Sequence, residues 1–148
     1  MKNEVTSNIV DFILGGRAEF TIYQEPSTYV KYKVLGSKDG KLFRIFTNSG
    51  MEGDNSLRYQ GYIFADSLCN VHKGKALDAY KNEKTLKGLL WVFRHSENMD
   101  SRVHVLHHCK CSVCSRKLTT PESINRGIGP KCWENRMTPV YSQMSMFA

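Results

Sequence analysis

Apolar residues in the first part of the chain recur at Val5, Ile9, Phe12 and Ile13. That spacing gathers them on one face of a helix over residues 4–14, which Gly15-Gly16 ends. From Ala18 the period falls to two: Phe20 and Ile22 alternate with Thr21 and Tyr23, predicting a strand to about Gln24. Glu25-Pro26-Ser27 reads as a turn. Thr28 to Leu35 is the next strand, with Val30, Tyr32 and Val34 toward a core and Tyr29, Lys31, Lys33 and Leu35 on the other face. A hairpin loop over 36–40 leads to a strand over Leu42 to Thr47. An exposed loop with Gly50 and Gly53 follows over Asn48 to Asn55, then a strand from Arg58 to Ala65 with Tyr59, Gly61 and Ile63 on one face. Four strands in succession predict an antiparallel meander.

Residues 66–82 show no period, and Cys69 within them reads as a buried structural thiol. The helical period returns at Thr85, where Leu86, Leu89, Leu90 and Phe93 form a stripe suited to lying across the sheet, with Trp91 as core. In Val103-His104-Val105-Leu106-His107-His108, alternation puts Val103, Val105 and His107 on one strand face and His104, Leu106 and His108 on the other. Thr120-Pro121-Glu122-Ser123 reads as a helix start, cap then proline. A short helix from Pro130 to about Met137 follows the glycines Gly127 and Gly129. The expected fold class is α+β: an antiparallel meander with a packed helix over 1–102, a treble-clef-like zinc module over 103–137, and a loosely ordered tail over 138–148.

The zinc expectation rests on cysteine spacing. Cys111-Ser-Val-Cys114 has the gap that lets a tight knuckle aim two sulfurs at one ion. Cys132 supplies a third from the first turn of the last helix, where the positive helix end favours a thiolate. His107 is the favoured fourth ligand, with Cys109, which shares its strand face, and His108 as alternatives. A disulfide is disfavoured, because no secretory segment accompanies these cysteines.

The run Cys111, Cys114, Arg116, Leu118, Thr119, Pro121, Ser123, Ile124, Gly127, Gly129, Pro130 and Cys132 resembles the signature of a family of small phage and prophage proteins classed as a domain of unknown function. Members of that family commonly carry a histidine four residues before the first motif cysteine, which the resemblance extends to His107. Ser115 departs from the pattern, where glycine is usual, so the knuckle turn is less relaxed here. Gly15-Gly16-Arg17-Ala18, Tyr59 to Phe64 and Trp91-Val92 look similar too, so the resemblance spans roughly residues 10–135. It implies a viral or prophage origin and no reaction.

Composition narrows the function classes. At 148 residues and 41% apolar content, the chain suits one domain, or a small domain with a zinc appendix. No apolar run is long enough to span a bilayer, so a cytoplasmic location in a bacterial host is expected. The net charge of +7 is uneven: residues 1–60 carry +1 and residues 61–148 carry +6. A basic half suggests an acidic partner, nucleic acid first, with Lys110, Arg116, Lys117, Arg126, Lys131 and Arg136 as contacts and Trp133 or Tyr141 as stacking rings. The alternative partner is a host protein, inhibited through strand edges and the 48–57 loop. A zinc-dependent nuclease, with Glu122 or His104 as general base, is the weakest reading, since three thiolates make a poor Lewis acid and no paired-carboxylate pattern is present. The expectation is therefore a zinc protein that binds a macromolecule and is not an enzyme.

Overall fold

The computed structural model describes residues 3–38, 42–48, 57–64 and 83–137, without the side chains of 64, 83–87, 136 and 137. The elements are α1 (Ile9–Ile13), β1 (Arg17–Gln24), β2 (Thr28–Gly36), β3 (Leu42–Thr47), β4 (Arg58–Phe64), α2 (Glu83–His95), β5 (Val103–His107), α3 (Pro121–Arg126) and α4 (Pro130–Met137). The fold is α+β. Its five strands form one antiparallel sheet in the order β4-β3-β2-β1-β5.

The expected meander is present, and each of its strands falls within about a residue of the predicted bounds. The strand expected to open the zinc module is the fifth strand of this same sheet, with Phe20 opposite His107 and Ile22 opposite Val105. Alternation sends Phe20 and Ile22, Tyr32 and Val34, Phe43 and Ile45, Ile63, and Val105 to one face. There they meet Phe12 and Ile13 of α1 and Leu89, Leu90, Val92 and Phe93 of α2. Phe20 lies edge-on to Phe12 at 5.7 Å and stacks on Tyr32 at 5.6 Å. Trp91 packs half-buried against this core and stacks on His95 at 4.2 Å.

Two expectations need correcting. The first helix begins at Ile9, not residue 4. Thr6, Ser7 and Asn8 have side chains that compete for backbone hydrogen bonds, and Asn8 takes the left-handed φ of 55° that a helix interior forbids. Residues 3–6 pair alongside β5 instead, through an isolated antiparallel bridge of Glu4 to Leu106: Val5 N–H donates to Val105 O at 2.8 Å, and His107 N–H donates to Asn3 O at 2.9 Å. Val5 is still buried, as the pattern required, but beside a strand. The second correction is Tyr59. A register shift between Ile45 and Phe46 inserts Gln60 as an unmatched residue, so Tyr59 stands opposite Phe46, away from the face of Ile63. Cys69, Tyr141, residues 49–56 of the 48–57 loop and the tail over 138–148 lie outside the described residues, as does the side chain of Leu86. No described helix is long and apolar enough to cross a membrane.

Candidate metal centre

Beyond β5 the chain turns at Cys109, φ 60°, and folds back on itself. Lys110 and Lys117 form an antiparallel bridge. Inside it, Cys111 N–H donates to Arg116 O at 2.8 Å and Ser115 N–H to Cys111 O at 2.9 Å. Closing this knuckle puts Ser115 at φ 66°, a left-handed position where glycine would cost less. Helix α3 starts with the expected cap: Thr120 and Ser123 form a reciprocal capping box, with Pro121 at the first position. Gly127, φ 71°, ends it. Cys132 then sits in the first turn of α4, where Trp133 N–H donates to Gly129 O at 2.9 Å.

This arrangement brings the sulfurs of Cys111, Cys114 and Cys132 within 4.8 Å of one another. A tetrahedral ion about 2.3 Å from each sulfur needs sulfur separations of about 3.8 Å, so the cluster fits a metal with little closure. Backbone donors are already aimed at it: Cys111 Sγ accepts from Gly129 N–H at 3.2 Å and Val113 N–H at 3.4 Å. Burial raises the Cys111 thiol, but the backbone donors Gly129, Cys114 and Val113 outweigh it, and its pKa ends below the ordinary value. Cys132 moves the other way. Burial, the Cys114 side chain and the charge on Cys111 push it up to about 12. Three sulfurs this close cannot all ionise alone, and a thiophilic dication removes that conflict.

His107 is placed elsewhere. It is 3% exposed, its Nε2–H donates to Ile124 O at 2.7 Å, and its Nδ1 accepts Cys109 N–H at 2.8 Å. Both ring nitrogens are thus committed to the backbone, and burial lowers its pKa, keeping the ring neutral. The parity that put His107 on the core face of β5 aims it under α3, so the structure does not bring it to the three cysteines. Cys109 Sγ bonds instead to Asn3 Oδ1 at 3.2 Å, and His108 is exposed. His104, on the opposite strand face, bonds Glu4 Oε1 and lies 3.4 Å from Glu25 Oε2. Glu122 is exposed on the first turn of α3.

Residues 101–136 match a family described as of unknown function (DUF6011). The match takes in β5, the knuckle, α3 and most of α4, about a quarter of the chain. No curated protein and no solved structure matches the chain.

Within the matched segment, Lys110, Arg116, Lys117 and Lys131 are exposed. Arg126 is half-buried with its guanidinium 5.0 Å over the Trp133 ring, so it covers one face of the indole expected to stack on a base. The side chain of Arg136 lies outside the described residues. Cys111, Leu118 and Ile128 form a second small core, with Val113, Ile124 and Trp133 around it.

Pattern reading missed how this segment attaches. It docks on α1 and β1 through two glycines. A Cβ on Gly15 would come within 2.8 Å of Ser112 O, and one on Gly127 within 2.5 Å of Phe12 Cε1. Backbone bonds close the seam: Arg17 N–H donates to Ser112 O at 2.7 Å, Ser112 N–H to Gly127 O at 3.0 Å and Thr6 N–H to Asn125 O at 2.9 Å. The one signal in the sequence is the presence of glycine at these positions, and a glycine does not name its neighbour.

Proposed function

We propose that Cys111, Cys114 and Cys132 hold a structural zinc ion in a treble-clef-like module, its fourth position filled by a ligand from outside this trio, and that this module carries a nucleic-acid-binding surface. The observation that carries the reading is the pair Lys110 and Lys117, exposed and directly opposite one another across the knuckle ladder. Like charges at such a position repel and weaken the ladder, which makes them costly unless an anion lies between or over them. Arg116 and Lys131, both exposed, add to the same module. Zinc, when bound, supplies charge balance and rigidity. The thiolates fix the turn, the turn fixes the cations, and the cations follow a phosphate backbone without reading sequence. Nothing in this role requires a reaction.

Fluorescence anisotropy of labelled oligonucleotides across a salt series tests the proposal. Binding should weaken with salt, and replacing Lys110 and Lys117 with alanine should reduce the log–log slope by about 0.7–0.9 for each phosphate no longer neutralised. The cysteines are untouched in this variant, so its metal content should equal wild type. Absence of binding at low salt, with a stable protein complex recovered on pull-down, would replace this reading with the protein-partner one.

A further inference from the structure

The face of the sheet turned away from α1 and α2 carries a pattern of its own. Pairing registers place Tyr62, Arg44, Leu35 and Arg17 in one row across β4, β3, β2 and β1. The adjacent row holds Tyr59, Phe46, Lys33 and Glu19, because the bulge in β4 brings Tyr59 opposite Phe46. Tyr59 and Tyr62 remain 44% and 36% exposed, and Phe46 supports Tyr59 at 5.5 Å between ring centroids. Aromatic rings of this size are ordinarily buried, and two on one edge of a sheet make a platform.

Cations lead from that platform to the knuckle. Arg44, Lys33 and Arg17 lie in the two rows against the single acid Glu19, whose carboxylate is 3.5 Å from the Lys33 ammonium. A groove of about 200 Å³ joins the rows to the knuckle, lined by Arg17, Glu19, Lys33 and Leu35 of the sheet and by Lys110 and Ser115 of the knuckle. At the opposite end of the face, Glu4 and Glu25 flank His104. Lys31, opposite Thr21 in the next row, carries the positive band one step past Lys33, and the acids around His104 lie beyond it.

We infer that this band binds single-stranded nucleic acid, with unpaired bases stacked on Tyr59 and Tyr62 and the backbone passing over Arg44, Lys33 and Arg17 toward Lys110. The inference rests on the nucleic-acid reading of the knuckle and adds where the strand lies and that it is unpaired. From β1 to β4 the path spans about 14 Å. A duplex keeps its base faces stacked inside and has none to offer the tyrosines, whereas every unpaired base has a π-face.

The test compares oligothymidylate, oligouridylate and a mixed-sequence duplex, each of about twelve nucleotides, on the full chain. Wild type should bind a single strand more tightly than the duplex, and the two homopolymers report whether a DNA or an RNA strand is preferred. Tyr59→Ala with Tyr62→Ala should weaken single-strand binding by about 25-fold or more, at about five-fold per ring, while leaving duplex affinity and the salt slope unchanged. Tyr59→Phe with Tyr62→Phe keeps the rings and should bind as wild type. Both positions are at the surface, and unchanged thermal unfolding of each variant confirms the fold. Equal loss of single-strand and duplex binding, or no loss, would overturn this inference. If the alanine pair does nothing while the Lys110 and Lys117 variant still flattens the salt slope, only the strand path falls. Absence of binding to all three probes would overturn both readings.

Discussion

Gly127→Ala measures how tightly the cysteine module is seated on the rest of the fold. Two costs add. Gly127 has φ 71°, and an L-residue held in that region loses about 1–2 kcal/mol. The new methyl would also lie within 2.5 Å of Phe12 Cε1, on a ring that is 0% exposed and has no room to withdraw. Forcing an extra carbon into a packed core costs about 1–3 kcal/mol. The variant should therefore lose about 2–5 kcal/mol in urea unfolding, followed by tryptophan emission. Phe12→Ala separates the two costs. Alone it should lose about 3–5 kcal/mol. Combined with Gly127→Ala it should lose less than the sum of the two by about 1–3 kcal/mol, because the methyl then occupies space the ring has vacated. The backbone cost of the left-handed position remains in the double variant. A Gly127→Ala cost below about 1 kcal/mol, or strict additivity in the cycle, would refute the close approach.

Protein purified without chelator should contain one zinc per chain by elemental analysis, and Cys111→Ser or Cys132→Ser should lose it; a metal-free wild type would refute the proposed centre. His107→Ala should keep the metal yet lose about 1–3 kcal/mol of stability, since Ile124 O and Cys109 N–H would be left unpaired in a buried place. Loss of the metal from this variant, with the metal retained in a control such as Cys109→Ser, would instead make His107 a ligand. At His104, burial opposes protonation, but hydrogen bonds and charges from Glu4 and Glu25 outweigh it and hold the pKa above the ordinary 6.5. The folded state then binds the proton more tightly than the unfolded chain, so this stabilisation is complete below about pH 6.5 and is lost as pH rises through the raised value. His104→Gln should flatten unfolding free energy across that window, and an unchanged pH profile would mean the carboxylates do not hold the ring in solution.

Strand-period reading worked where one residue per rung decides the face: Tyr32 and Val34 are core and Lys31 and Lys33 are outside, as alternation demands. The cysteine trio was legible because the two-residue gap and the proline-started helix constrain the backbone locally. What failed needed knowledge of a partner distant in sequence. Val5 has helical spacing to Ile9, yet its neighbour is Val105, and no local pattern carries a bond across that separation. Tyr59 follows the alternation of its own strand, but its face is set by a bulge defined only relative to β3. His107 stands at a ligand-like spacing from Cys111, and only the placement of α3 reveals what its Nε2 meets.

The order β4-β3-β2-β1-β5 sets a timetable for folding. Three hairpin pairings between successive strands close short or moderate loops, so β1 to β4 can assemble from nearby segments. The strand that covers the other edge of β1 arrives from residues 103–107, about 80 positions away, and closing that loop costs more entropy. Until it arrives, β1 presents a bare row of amides and carbonyls flanked by Ala18, Phe20 and Ile22, a template for any stray strand. A metal bound at the proposed centre would organise the knuckle and bring β5 with it, since Arg17 N–H donates to Ser112 O across the same seam. Scarcity of the ion during synthesis would then be felt first as aggregation of the nascent sheet, before any defect in what the finished protein binds.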